Sequence, residues 1–257
     1  MIGALAESSA AFWGRAARFG VELLPGPEQD IVWETPNEVV IEAPHFRLRS
    51  FELGAGRADR PMLVVPPEIN GSNLCDYGPE QSLVQALRAG GFGAVHAIEW
   101  RTATQATKDL DVDDSVAAIL RCIDHLGGSV HLLGICQGGW QAAVAAALRP
   151  DAVCTLTLAA APIDFRSKDS ALTRLVDITP MAAYEGLVAM GGGVMRGEHL
   201  RSGFTNLRFW ERRVVDRWAL WNGLDDAEWM DRRHRMGRWY HARKDLPGRA
   251  YLRAVKE

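Results

Sequence analysis

A chain of 257 residues can bury one large core, or one core with a lid, and is far too long to be a small stapled scaffold. Its formal net charge of −3, from 29 basic and 32 acidic residues, provides no field to gather nucleic acid, so nucleic-acid binding is excluded as the main activity. The four cysteines, Cys75, Cys122, Cys136 and Cys154, form no C-x-x-C pair and meet no histidine cluster at ligand spacing, which argues against a disulfide framework or a metal site.

Residues 1–24 set Leu5, Phe12, Ala16, Phe19 and Leu23 at helical spacing, with Arg15 and Arg18 elsewhere on the wheel, and so predict an amphipathic helix. Such a stripe covers its own domain's core or docks on a lipid or polymer surface. Pro25-Gly26-Pro27 ends it. The first twenty residues lack the continuous apolar stretch of a secretory signal, and no run of about eighteen apolar residues is available to span a membrane. A cytoplasmic location is the expectation.

Strands are predicted at 38–42 and 46–53, the second alternating Phe46, Leu48 and Ser50 against Arg47, Arg49 and Phe51, as an antiparallel pair at a sheet edge. Met62–Val65 is short and wholly apolar, as a buried parallel strand should be, and runs into the turn-rich loop Pro66-Pro67-Glu68-Ile69-Asn70-Gly71. A helix at 80–89 closed by Gly90-Gly91, a strand at 93–100 and a helix at 112–126 follow, the last with Asp111, Asp113 and Asp114 at its negative-preferring start. A strand at 130–135, a helix at 141–149 and a buried strand at 152–160 complete the alternation, which implies a parallel sheet with helices on both faces. Beyond Phe165 no strand run stands out. Residues 166–257 have helix-like spacing, turn glycines at Gly191, Gly192 and Gly193, and many tryptophans and arginines, and predict a helical cap over the stretch considered next.

That stretch is His131-Leu132-Leu133-Gly134-Ile135-Cys136-Gln137-Gly138-Gly139-Trp140, an apolar run that breaks into glycines around one cysteine. It reads as a nucleophile elbow with cysteine in the usual serine position. Gly134 and Gly138 lie two before and two after Cys136, where any Cβ would crowd a strand and helix that cross closely. A thiolate there would be stabilised by the N-terminus of the following helix. The competing reading, an inert core cysteine, does not require glycines at both offsets. The backbone N–H of Gln137 and one from Ile69 or Asn70, in the loop after the Met62–Val65 strand, then become the candidate oxyanion hole, against the alternative that this loop is an ordinary turn.

Gly134-Ile135-Cys136-Gln137-Gly138-Gly139 fits the pattern G-x-C-x-G-G, and Val64-Val65-Pro66-Pro67-Glu68-Ile69-Asn70 is similar to V-P-P-x-I-N. Asp76-Tyr77-Gly78-Pro79-Glu80-Gln81-Ser82-Leu83-Val84 is similar to D-x-x-P-x-x-S-L-V, and Ile98-Glu99-Trp100-Arg101, Ile163-Asp164-Phe165, Leu246-Pro247-Gly248 and Tyr251-Leu252-Arg253 follow in matching order. Over roughly residues 37–257 the chain resembles the polyhydroxyalkanoate synthases, a branch of the α/β-hydrolase superfamily.

The resemblance implies an α/β-hydrolase fold, a mostly parallel sheet with helices on both faces plus a helical cap. The expected divisions are an N-terminal helix and linker at 1–36, the core at 37–165 and the cap at 166–257. It also implies an acyltransferase that moves (R)-3-hydroxyacyl groups from coenzyme A thioesters to a growing polyester through a thioester on Cys136, with no resident cofactor and no metal. A homodimer or partner subunit, and a cytoplasmic, granule-associated location, follow from the same resemblance. A histidine base assisted by an aspartate is expected too, yet His199, His234 and His241 all lie in the helical region and follow no buried apolar run, so they read as surface or cap residues. The expectation is therefore a chain that stops before its acid, its histidine and its last core strands. Gln137 is also what intracellular polyester depolymerases place after a reactive cysteine, which keeps an ester hydrolase as an alternative. An inactive granule-associated or partner-binding fragment is a third reading, favoured by the missing acid and histidine and opposed by the intact glycines and Ile69-Asn70.

Overall fold

The computed structural model describes residues 2–24, 32–52, 60–167, 169–207, 211–242 and 244–256. The expected Pro25-Gly26-Pro27 break, Leu53 and the side chain of Leu5 lie outside the described residues. The helix α1 (Ile2–Glu22) precedes the strands β1 (Glu38–Glu42), β2 (Phe46–Ser50) and β3 (Met62–Val65), and then come α2 (Leu83–Ala89), β4 (Val95–Trp100), α3 (Val112–His125), β5 (Val130–Ile135), α4 (Gln137–Leu148) and β6 (Val153–Ala159). The sheet order is β1-β2-β4-β3-β5-β6. β1 and β2 are antiparallel to their neighbours, and β4, β3, β5 and β6 run parallel. This is the expected α/β-hydrolase sheet, with its antiparallel pair at one edge.

Alternation along the strands divides the core. Leu63 and Val65 of β3 join Leu48, Ile98 and Leu132 under α3 and α4, where Ile119, Ile123, Ala142 and Ala145 are fully buried. Met62 and Val64 face the other way, onto Val84 of α2, Phe51, Val95 and Leu133. Each fully buried aliphatic side chain contributes about 1.5–3 kcal/mol, so these two clusters carry the domain.

Several bounds differ from the sequence expectation, each for a local reason. α2 starts at Leu83 rather than at 80, because Ser82 caps it by accepting from Gln85 N at 2.9 Å. α4 starts at Gln137 rather than 141, since close packing admits Gly138 and Gly139 into a helix that their propensity disfavours. Residues 152–160 are expected to form a buried strand, but β6 is an exposed edge: Leu156 is 38% and Leu158 40% exposed, because among the described residues only β5 pairs with it in the sheet.

Beyond residue 165 the chain forms α5 (Ala171–Ile178), α6 (Met181–Met190), α7 (Gly197–Leu207), α8 (Asp216–Gly223), α9 (Ala227–His241) and α10 (Gly248–Lys256). The expectation of no strand there is corrected by an antiparallel pair, β7 (Val194–Met195) and β8 (Leu246–Pro247), each of two residues and so too short to leave a periodic signal. These helices are anchored on the β4 and α3 side. Lys244 Nζ donates to the Trp100 carbonyl, Asp245 N donates to Thr102 Oγ1 at 3.0 Å, and Arg249 and Arg253 pair with Asp111 and Asp113. α1 packs on them rather than on the sheet: Phe19 meets Trp221 edge-on at 5.5 Å, and Arg15 and Arg18 pair with Asp225. Among the described residues no helix is long and apolar enough to cross a membrane.

His96 sits on β4 with its ring buried and Nδ1 unbonded among the described residues, and burial, aided by His125, pushes its pKa down to about 4. The folded ring is neutral where an unfolded histidine, with its pKa near 6.5, is charged, so the unfolded chain binds more protons between those values. Stability present above pH 6.5 is thus lost as pH falls toward 4. Urea denaturation at pH 7 and 4.5 should show a loss about 2–3 kcal/mol larger in the parent than in His96→Leu.

Candidate functional site

The turn between β5 and α4 brings Cys136 out at the C-terminal edge of the sheet. Its φ of 52° and ψ of −123° lie in a region that L-residues rarely adopt, and its N–H is held by the Ala159 carbonyl at 2.9 Å. The three non-glycine residues with positive φ among the described residues, Asn70, Cys136 and Ala160, follow β3, β5 and β6, and each such residue stores about 1–3 kcal/mol of strain.

The glycines are explained by what a side chain would meet. A Cβ on Gly138 would stand 2.2 Å from the Val65 carbonyl oxygen, one on Gly134 2.6 Å from Gly139 Cα, and one on Gly139 2.3 Å from Ala161 Cβ. Only a bare backbone lets α4 approach β3 and β5 this closely, and that approach brings the first turn of α4 beside the loop after β3.

This loop is tied down at several points. Trp100 Nε1 donates to the Pro66 carbonyl at 2.8 Å, Glu68 N–H donates to Gln137 Oε1 at 3.1 Å, and Trp239 Nε1 of α9 donates to the Gly71 carbonyl at 2.9 Å. Ile69 packs against Val188, Met195 and Leu246. Asn70 takes φ 64°, which re-aims the backbone at the end of the run that carries the Ile69 and Asn70 N–H groups. The elbow and the candidate oxyanion loop therefore meet, linked by the side chain of Gln137.

Asp76 and Ser82 of the D-x-x-P-x-x-S stretch have a structural task. Asp76 is fully buried and accepts from Thr35 N at 2.8 Å, Thr35 Oγ1 at 2.9 Å and Ser82 Oγ at 2.5 Å, which pins the loop's far end.

The thiols are not equivalent. Cys136 is exposed, at the N-terminus of a twelve-residue helix. Cys75 and Cys122 are buried, and burial raises both thiols, Cys122 to about 12. The C-terminal helices were expected to lie over the elbow. They cover Ile69 and Gly71 instead and leave Cys136 open, because their anchors are on β4 and α3.

Several of the described histidines are engaged elsewhere. His234 Nε2 is 2.8 Å from Glu22 Oε2, His131 Nδ1 is 2.8 Å from Thr155 Oγ1, and His241 ends α9 with its ring against Tyr240. His199 lies in α7, His125 ends α3, and His45 packs its ring on Phe46. No hydrogen bond joins a described histidine to the Cys136 thiol. Among the described residues no group of three or more His, Cys, Asp and Glu is arranged to hold a metal ion.

Sequence reasoning passed over a buried polar cluster behind the loop. Glu68 Oε1 accepts from Gln141 Nε2 at 2.6 Å, Ser115 lines the same cavity, and the charge of Lys244 favours the ionised carboxylate. Burial nevertheless raises the Glu68 carboxyl above its ordinary range and pushes Lys244 down to about 8. The available signal was Gln141, a polar residue in an otherwise small and apolar helix.

No family model matches the chain. It is similar to poly(3-hydroxyalkanoate) polymerase subunits. The PhaC subunit of Haloferax mediterranei is 29% identical over 236 residues, 88% of this chain and 47% of that protein. That of Allochromatium vinosum is 27% identical over 247 residues, 93% of this chain and 68% of that protein. That of Thiocystis violacea is 26% identical over 231 residues, 87% and 64% respectively. The chain thus spans about half to two thirds of the length of these relatives. Among solved structures, the haloalkane dehalogenase DbeA of Bradyrhizobium elkani overlaps 60% of this chain and 54% of its own at 18% identity and a TM-score of 0.44.

Two expectations follow from this geometry. Gly138→Ala should lose about 3 kcal/mol of stability in urea denaturation, because the obstructing atom is backbone and cannot swing away. Brief iodoacetamide treatment at neutral pH followed by peptide mass spectrometry should label Cys136 first. Cys75 and Cys122 should react only after denaturation, since a thiol raised to about 12 holds roughly a thousandth of the thiolate of an ordinary one.

Proposed function

We propose that this chain is the acyl-accepting unit of a polyhydroxyalkanoate synthase, with Cys136 as nucleophile. The Cys136 thiolate attacks the carbonyl carbon of a 3-hydroxyacyl-coenzyme A thioester. The tetrahedral oxyanion is stabilised by the N–H of Gln137 and by one from Ile69 or Asn70. As it collapses, the bond to the coenzyme A sulfur breaks, coenzyme A leaves, and the acyl group remains on Cys136. The hydroxyl end of a polyester chain then displaces the acyl group from sulfur. Exchanging one thioester for another is close to energetically level, which suits a cysteine better than a serine.

The observation that carries this reading is the strained, solvent-open Cys136 at the start of α4, joined through the Gln137 side chain to the loop bearing Ile69 and Asn70. It is supported by similarity to the PhaC subunits over most of the chain. Because no described histidine bonds the Cys136 thiol, we assign the proton-accepting base to a partner subunit or to polypeptide outside the described residues. The segments 37–165 and 166–257 act in this proposal as a core and as a cap on the Ile69–Gly71 loop rather than on Cys136. The exposed Trp13, Val21 and Leu24 of the N-terminal region give it a means of resting on a cytoplasmic polyester granule. The openness of Cys136 also favours one second reading, a thiol hydrolase in which water takes the acyl group.

Incubation of the complete protein, with whichever partner supplies the base, with 3-hydroxybutyryl-coenzyme A separates these readings. A synthase should release coenzyme A, gain the acyl mass on the Cys136 peptide and extend a hydroxyl-ended primer. Free acid without extension would establish the hydrolase instead. Cys136→Ala should lower coenzyme A release by about 10⁴-fold or more, and survival of activity in that variant would remove Cys136 from the chemistry.

A further inference from the structure

The Pro66–Gly71 loop is held from behind by a side chain with no part in the chemistry just described. Glu68 immediately precedes the two residues whose N–H groups are the candidate oxyanion donors. Its backbone N–H reaches Gln137 Oε1 at 3.1 Å, and its Oε1 accepts from Gln141 Nε2 at 2.6 Å. Gln137 and Gln141 are one turn apart on α4 and therefore share a face, so helix and loop are fastened at two successive points. Ser115 of α3 lines the same small cavity as Glu68. Lys244, buried nearer the C-terminal region, is fixed by donation to the Trp100 carbonyl.

A carboxyl removed from water is costly unless hydrogen bonds and countercharge compensate for it. Here the compensating bond comes from Gln141 of α4, so satisfying Glu68 requires the loop and the nucleophile helix to be seated together. Asn70 holds a strained φ of 64° just beyond it, and nothing in a short proline-rich loop would keep that strain in place by itself.

We propose that Glu68 is a positioning residue, which clamps the Ile69-Asn70 backbone to the nucleophile helix through its backbone bond to Gln137 and its carboxylate bond to Gln141. The proposal rests on the reading of that loop as an oxyanion donor, but the clamp itself is a mechanical property measurable without turnover. A donor displaced by about 1 Å can cost a hundredfold in rate.

The test uses the full chain with Glu68→Ala, Glu68→Gln and Gln141→Met. The readouts are amide hydrogen exchange, iodoacetamide alkylation of Cys136, and acylation of Cys136 by 3-hydroxybutyryl-coenzyme A. Glu68→Ala should speed exchange at residues 66–71 by about tenfold or more, leave β5 amides unchanged and keep the alkylation rate within about twofold. Acylation should slow by about 10- to 100-fold, in the rate at saturating thioester rather than in KM, with partial recovery in Glu68→Gln, which keeps an acceptor for Gln141. Unaltered exchange at 66–71 in Glu68→Ala overturns the proposal. Should that variant fail to fold, Gln141→Met decides by the same loop exchange, faster supporting the clamp and unchanged overturning it. Faster loop exchange in Glu68→Ala, where Cys136 of the parent is never acylated even with the partner that supplies the base, upholds the clamp and overturns the synthase reading instead.

Discussion

The structure depends on one close approach, between the Gly138 backbone of α4 and the Val65 carbonyl at the end of β3. A single added carbon would stand 2.2 Å from that oxygen, inside any tolerable contact. Because the helix can come this near, Gln137 reaches the Glu68 N–H, Gln141 reaches the Glu68 carboxyl, and Cys136 is pressed into a turn with φ of 52°. Moving the helix outward would relax the cysteine and part the elbow from its loop together. The glycines and the strained residues are two sides of the same constraint: close packing stores strain at the place where a nucleophile is presented.

The same packing explains the unusual distribution of charge. Glu99 and Lys244 are removed from water, and Glu68 partly so, near the C-terminal ends of β3 and β4, each compensated by partners distant in sequence. Glu99 is held by Arg49, with Arg47 nearby, from the antiparallel strand β2. Such groups contribute little net stability, since desolvation offsets most of their attraction, but they penalise any arrangement that separates them. They therefore act here as register marks, holding the edge strands, the loop and the C-terminal helices in one relation.

Elsewhere the chain is less enclosed. Its last sheet strand, β6, carries Leu156 and Leu158 half open to solvent, and α4 beside it leaves Val144 and Leu148 exposed. Cys136 opens on the same end of the molecule. The C-terminal helices cluster instead around β4, α3 and α1, so that the candidate site has a firmly built floor and one uncovered flank.

Much of this was legible from residue order alone. The apolar runs at 62–65 and 130–135, and the acidic start of the helix after Asp111, mark elements whose signals are local: strand alternation, helix capping and backbone sterics act between neighbours. The elbow was legible for the same reason, since Gly134, Gly138 and Gly139 record a steric demand at fixed offsets from Cys136. The two-residue strands at 194–195 and 246–247 were not, because two residues have no period. Nor was the exposure of 153–159, because apolarity says what a strand could bury and not whether anything lies beside it. The partner of the Glu68 carboxyl was hidden as well: Gln141 stands 73 positions away, and a hydrogen bond between distant residues leaves no pattern in one sequence. By itself, then, the sequence determined the order of elements, the strained turn and its nucleophile. Only the tertiary structure decided what surrounds them, because burial and charge pairing depend on chain segments that meet in space and nowhere in sequence.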